Sequence, residues 1–270
     1  MIGFRIALAA TFVALSLVPP AEGREAPACD ASTFLAAPPD SVPPLRLVLN
    51  VPATRLDVLV EGHPSRSYLV AVGTDDHRTP IGSFSIDRIV WNPWWVPPPF
   101  DWARNMKVTP PGPDNPTGRV KLFFGYYHFL HGTPDEKSIG SPASHGCVRM
   151  TNADAIELAR TTHAFGSPEL PPAVLDSLID EPKRTRTIHL ARPVPLTVLY
   201  QRIEVRDGDL LLHPDPYELD PIDRGEILSA LAAAGLPLDV DPLLIEAALD
   251  RAEAGTVRIA VHDLRASPEE

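Results

Sequence analysis

A chain of 270 residues with 44% hydrophobic and 22% charged residues can bury the core of one large domain, with or without an appendage. A formal net charge of -11 and no Lys/Arg-rich run speak against a nucleic-acid partner, which needs a basic face to neutralise phosphates. The 32 prolines, clustered in runs such as WVPPP and VTPPGPDNP, predict ordered loops between short strands rather than a helical bundle. Proline fixes its own φ and cannot donate to a backbone ladder.

Residues 1–23 read as an export signal, with Arg5 before the apolar run IALAATFVALSLV and the turn-forming PPAEG after it. That run falls short of the about 20 apolar residues of a comfortable membrane span. The expected location is therefore the periplasm or cell-wall space, with signal cleavage and a retained anchor both open. Residues 24–44 are Pro-rich and lack apolar periodicity, the character of a linker. Cys29 lies well past the apolar run, which sets aside a lipid-anchored cysteine.

From residue 45 the pattern changes to alternation. Leu45, Leu47 and Leu49 alternate with Arg46, Val48 and Asn50, and RLDVLV and SYLVAVG follow after turn signals. Another strand is expected over 83–90. Residues 91–118 form a long loop holding all four tryptophans, Trp91, Trp94, Trp95 and Trp102. Loops of that length are functional or disordered, and disordered segments are poor in aromatics, so an ordered loop is expected. Its rings either pin it to the core or stack on a substrate. RVKLFFGYYHFLHG reads as one strand leading to a turn, with His128 on the face opposite His131 and structural. TNADAIELARTTHAFG reads as a helix capped by Thr151 or Asn152 and ending at Gly166. Further β runs follow, with Asp207-Gly208 as a hairpin turn. Two short helices over 223–254 precede a closing strand at TVRIAVH. The expectation is a mainly β body over 45–190 with a few short helices, and a small α/β extension over 191–270.

The chemistry concentrates in SPASHGCVRM, residues 141–150. An ordinary thiol, with a pKa near ~8.5, is a weak nucleophile at neutral pH, and a partner imidazole or a cluster of backbone N–H groups lowers that value. His131, at a predicted strand end, is the candidate partner of Cys147. Gly146 allows close backbone approach, and N–H groups around Gly146 and Cys147 could face an oxyanion. The helix beginning shortly afterwards would favour negative charge, and Arg149 offers a fixed cation for a carboxylate or for loop anchoring. Two other readings stand beside this one: a disulfide between Cys29 and Cys147, and a zinc site built from His131, His145 and Cys147. Spacing does not decide among them.

The stretch HGTPDEKSIGSPASHGCVRMTNADAIEL resembles the active-site signature of the L,D-transpeptidase catalytic domain (YkuD-type) family. His131-Gly132 matches its strand-end pair, and Ser144-His145-Gly146-Cys147-Val148-Arg149 its nucleophile loop. TPIGSF resembles its Thr-Pro-x-Gly turn, and WNPWWVPPP and VPLTVLYQRIEVRDGDLLLHPDPY resemble segments of the periplasmic, Gram-negative branch. The resemblance covers residues 45 to about 220 and implies a YkuD-like β-sandwich or barrel. It implies Cys147 as nucleophile on the bond between meso-diaminopimelate and D-alanine of a peptidoglycan stem, and His131 as base. It further implies His145, Gly146 and Ser144 as shaping the loop and oxyanion hole, and Arg149, Gly132, Trp94 and Trp95 as contacting substrate. No cofactor or metal is implied, and a carbapenem would act as covalent inhibitor. The acceptor is left open: a second stem (3→3 cross-link), a lysine of an outer-membrane lipoprotein, or water, which would make a carboxypeptidase. A zinc hydrolase and a non-catalytic wall-binding protein are the readings from other classes. Leu130 replaces the family's usual β-branched residue, Tyr126, Tyr127 and His128 crowd the strand, and no separate wall-binding repeat is recognised.

Overall fold

The computed structural model describes residues 44–236 and 239–264. The expected export signal, nearly all of the expected linker, and Cys29 lie outside the described residues.

Alternation of apolar residues builds one large sheet. In β1 (Leu45–Asn50) the three leucines face inward and are almost fully buried. β2 (Arg55–Val60) and β3 (His63–Leu69) follow as antiparallel neighbours. β4 (Val72–Gly73) leaves the sheet, and β5 (Gly82–Trp91) returns to it. β6 (Val120–Phe123) and β7 (Phe129–Thr133) form an antiparallel hairpin. β8 (Pro142–Ser144) pairs with β4, and β9 (Val148–Thr151) runs parallel to β7. Helices α1 (Asn152–Gly166) and α2 (Pro172–Asp180) precede β10 (Arg186–Leu199), which inserts between β1 and β5. The resulting order is β3-β2-β1-β10-β5-β6-β7-β9. Ala71, just beyond β3, exchanges two 2.9 Å backbone hydrogen bonds with Arg149 on β9. The two ends of the sheet thereby meet, and it curls into a nearly closed barrel.

The mainly β expectation holds, with four corrections in detail. The expected run SYLVAVG is divided: β3 begins earlier, at His63, and ends at Leu69, and Val72-Gly73 is the separate β4 paired with β8. RVKLFFGYYHFLHG is two strands, because the chain reverses at 124–128, where the Phe124 and Gly125 N–H groups donate to the His128 carbonyl. α2 was not expected from a Pro-rich stretch. Its signal was Pro172 at the first helical position, where the missing N–H costs nothing. The expected boundary at 190/191 falls inside the 14-residue β10, which is bonded on both sides.

Beyond β10 a second core forms. β11 (Ile203–Arg206), β12 (Asp209–Leu212) and β13 (Val257–Ala260) make a small sheet covered by α3 (Arg224–Ala233) and α4 (Pro242–Ala252). Leu210, Leu212, Ile227, Leu231 and Ile245 are fully buried within it. Asp207 and Gly208 both take positive φ, as a tight two-residue hairpin requires. Asp223 and Glu226 form a reciprocal capping box at α3.

α1 is seated by its first residue. Thr151 caps it through the Asp154 N–H. The Asn152 side chain accepts from the Arg119 N–H at 2.9 Å and donates to the Thr133 carbonyl at 3.3 Å. A Cβ on Gly132 would lie 2.3 Å from Asn152 Oδ1, so only glycine allows this docking. We expect Gly132→Ala to cost about 1–3 kcal/mol by overpacking, with part of the loss recovered in Gly132→Ala/Asn152→Ala. Urea midpoints of the four proteins of that cycle measure the coupling.

Candidate active site

Three adjacent strands carry the site. In the β6–β7 pairing Lys121 lies opposite His131, and in the β7–β9 pairing His131 lies opposite Arg149. Side chains alternate along a strand with period two. Leu122, Leu130, Val148 and Met150 therefore turn into the core, where each is fully buried. Lys121, Phe123, Phe129, His131, Cys147 and Arg149 line one cleft of about 1150 Å³ on the other face. His131 and Cys147, 16 positions apart in sequence, thus share one wall.

The His131 ring is tautomerically fixed. Its Nδ1 lies 2.7 Å from the Gly132 carbonyl, which only accepts, so Nδ1 carries the proton and Nε2 keeps a free lone pair. Burial drives its pKa down to about 3, helped by the Arg149 and Lys121 charges and opposed by the Gly132 carbonyl. The imidazole is neutral at physiological pH. Cys147 departs from the expected activated thiolate. Burial pushes its pKa up to about 11, against the opposing influence of the Phe129 N–H and the Lys121 and Arg149 charges. Its Sγ–H donates to the Tyr127 carbonyl at 3.4 Å. The helix N-terminus is too remote to reverse this, since β9 separates Cys147 from α1 by four residues, or roughly 13 Å. At rest the cleft wall holds a protonated thiol and a neutral imidazole.

The loop around Cys147 is held by hydrogen bonds from Ser144, which also lines the cleft, and from Thr79. Ser144, 2% exposed, accepts from the Gly146 N–H at 3.2 Å and donates to the Cys147 carbonyl. The Gly146 N–H, expected among the oxyanion donors, is thereby engaged by Ser144. Gly146 has φ +97°, and a Cβ there would meet the His128 ring at 3.3 Å and the Arg78 carbonyl at 3.4 Å. Thr79, from the Thr-Pro-x-Gly turn, donates from its hydroxyl to the Gly146 carbonyl at 3.1 Å. The Thr79 N–H donates to the hydroxyl of Tyr217, a fully buried residue beyond β12.

The remaining expected residues divide. Arg149 lines the cleft and pairs with Asp135 at 3.7 Å. Gly132 contributes its carbonyl to His131 and its bare Cα to Asn152, and does not line the cleft. His145 is exposed at the rim, stacked on Trp102 (centroids 4.0 Å apart, 17° between planes) and edge-on to His77 at 4.7 Å. Trp94 and Trp95 both line the cleft, Trp94 half-exposed and Trp95 buried, while Trp91 is a core residue donating to His163 at 3.0 Å. Among the described residues, no three His, Cys, Asp or Glu side chains converge to hold a metal ion.

Sequence reasoning missed two residues. His128 belongs to the turn before β7, where strand alternation does not apply, and it lines the cleft instead of facing away. Lys121 is 8% exposed and also lines the cleft. Its alternation with Val120 and Leu122 was a legible signal, once the hairpin that sets it opposite His131 is recognised.

The sequence profile of the YkuD L,D-transpeptidase catalytic domain matches residues 44–185. YqjB of Bacillus subtilis, named a putative L,D-transpeptidase, is 31% identical over 121 residues, 43% of this chain and 64% of that protein. YbiS of Escherichia coli, named a probable L,D-transpeptidase, is 31% identical over 126 residues, 44% of this chain and 39% of that protein. The chain therefore spans less than two thirds of the length of either relative. An L,D-transpeptidase catalytic domain from E. faecium superposes with a TM-score of 0.39 at 11% identity, over 59% of this chain and 99% of that one.

Two titration results are expected. Alkylation of Cys147 by iodoacetamide in the absence of substrate should rise through pH about 11, well above an ordinary thiol. His131 has a lower pKa folded than unfolded, so the unfolded chain takes up the proton first as pH falls. Its contribution to stability is complete above about 6.5 and is lost toward pH 3. His131→Gln should flatten that acid-side loss, read as urea midpoints across the same window.

Proposed function

The chain belongs to the L,D-transpeptidase catalytic domain family, and from that premise we propose that it is a cysteine acyltransferase acting on the stem peptides of peptidoglycan. The observation that carries this reading is the neutral, Nδ1-protonated His131 sharing a cleft wall with the protonated Cys147. A neutral imidazole can take a thiol proton, which an imidazolium cannot.

In this reaction His131 Nε2 accepts the Cys147 proton as Sγ bonds to the carbonyl carbon between diaminopimelate and D-alanine. The C–N bond then breaks, the imidazolium returns that proton to the departing nitrogen, and D-alanine leaves a thioester on Cys147. An acceptor amine attacks the thioester and gives its proton to His131. The C–S bond breaks, and the sulfur recovers the proton. Burial disfavours a standing thiolate–imidazolium pair, so charge separation is confined to the moment of attack. Ser144, Thr79 and Gly146 hold the nucleophile loop in register. The Cys147 N–H, for which no backbone partner appears among the described residues, is the donor left for the oxyanion.

The acceptor belongs to the same proposal. A second stem amine gives a 3→3 cross-link, and a lysine of an outer-membrane lipoprotein gives a protein anchor. The proline, tryptophan and phenylalanine walls of the cleft favour an amine over water. Export to the periplasm is proposed on residues 1–23. None of the described helices is long and apolar enough to cross a membrane.

Intact-protein mass spectrometry tests the reading. Incubation with a diaminopimelate tetrapeptide should add the acyl mass at Cys147 and release D-alanine, and a carbapenem should add its own mass at the same residue. Cys147→Ala should abolish both adducts, and His131→Ala should slow acylation about 10²–10⁴-fold. A parent protein with a titratable Cys147 and no adduct would refute the proposal.

A further inference from the structure

The mechanism leaves one buried charge in the cleft without a task. Lys121 is more than nine-tenths buried, and its Nζ has a single hydrogen-bond acceptor, the Trp94 carbonyl at 3.4 Å. The ammonium sits 4.8 Å from the centre of the Phe129 ring. No described carboxylate pairs with it, whereas Arg149, two strands away, has Asp135. Desolvation lowers its pKa to about 8, with the Cys147 sulfur the one group opposing the fall. A buried ammonium lacking a counter-ion is costly. A methionine at this buried position would match the length of the lysine stem without carrying the charge.

Placement shows what the charge faces. Lys121, His131 and Arg149 stand in one row across β6, β7 and β9, with the proposed base in the middle. The outer strands of such a row lie about 10 Å apart. A peptide bond poised over His131 and Cys147 would carry its flanking groups toward the two cations.

We propose that Lys121 is a specificity-determining residue whose ammonium binds a carboxylate of the acyl donor beside the scissile bond, on the side of His131 away from Arg149. The proposal rests on the acyl-transfer reading for the identity of the donor, and the charge complementarity stands independently of turnover. Two carboxylates of the stem carry this chemistry: the terminus of the departing D-alanine and the free carboxylate of diaminopimelate.

The test uses three tetrapeptides: the free acid, the terminal amide, and the amide of the diaminopimelate carboxylate. Calorimetric binding to Cys147→Ala, with and without Lys121→Met, reads recognition apart from chemistry. We expect the free acid to bind about tenfold to a hundredfold more tightly than one of the two amides, as a charge-assisted contact predicts. That amide identifies the carboxylate. Lys121→Met should erase the preference while holding or raising the melting temperature, and Lys121→Arg should restore most of it. A merely structural lysine would lower the melting temperature and leave the acid-to-amide ratio unchanged. Equal binding of all three peptides, binding of none, or a preference surviving in Lys121→Met overturns the proposal. Charge-selective binding with no acyl adduct on Cys147 in the parent would instead sink the acyl-transfer reading and leave the Lys121 assignment standing.

Discussion

The parallel pairing of β7 with β9 is the constraint on which the site depends, because it sets His131 beside the strand that begins immediately after Cys147. Leu130 opposite Val148 and His131 opposite Arg149 set a register in which the apolar residues of both strands face the core. A slip of one residue in β7 would turn His131 inward and Leu130 outward, and the same slip in β9 would expose Val148 and Met150, so the register is held by the burial of the opposite face. The same constraint reaches outward. Arg149 is bonded on its other side to Ala71, so the strand that orients the site also closes the barrel.

Desolvation then sets the chemistry. A surface histidine and cysteine would titrate near their ordinary values. In this cleft burial moves the imidazole down to about 3 and the thiol up to about 11, so both are neutral at rest. Aromatic and proline side chains supply the dry walls, and the Gly132 carbonyl chooses the tautomer. The only charges admitted to the row are cationic, Lys121 and Arg149, and they disfavour an imidazolium between them while favouring any anion bound beside it.

Residues beyond β10 are coupled to the site by a short relay. Tyr217, buried against the main core, receives the Thr79 N–H, and Thr79 in turn holds the Gly146 carbonyl. Arg55 with Glu204, and Arg206 with Asp57, tie β11 to β2 by ion pairs of 2.7 and 3.0 Å. The position of the nucleophile loop is thus set partly by a segment that contributes no group to the cleft.

The sequence by itself determined the mainly β class, the first two strands, the extent of α1 with its cap narrowed to Thr151 or Asn152, the Asp207-Gly208 turn and the two C-terminal helices. These are local matters of alternation, capping and φ preference, readable within a few residues. It also singled out Cys147, His131 and Arg149, because their residue types and order match a family signature. Tertiary structure decided what those residues experience. The reversal at 124–128 turned one expected strand into two and brought Lys121 opposite His131, a pairing that alternation alone does not show. It placed His128 in a turn, outside the alternation that would have sent it to the far face. It gave Gly132 to Asn152 and the Gly146 N–H to Ser144, uses invisible in a motif. Above all it set the protonation of the thiol and the imidazole, since desolvation depends on how many neighbours the fold gathers around a group, and residue type fixes only the value from which that shift begins.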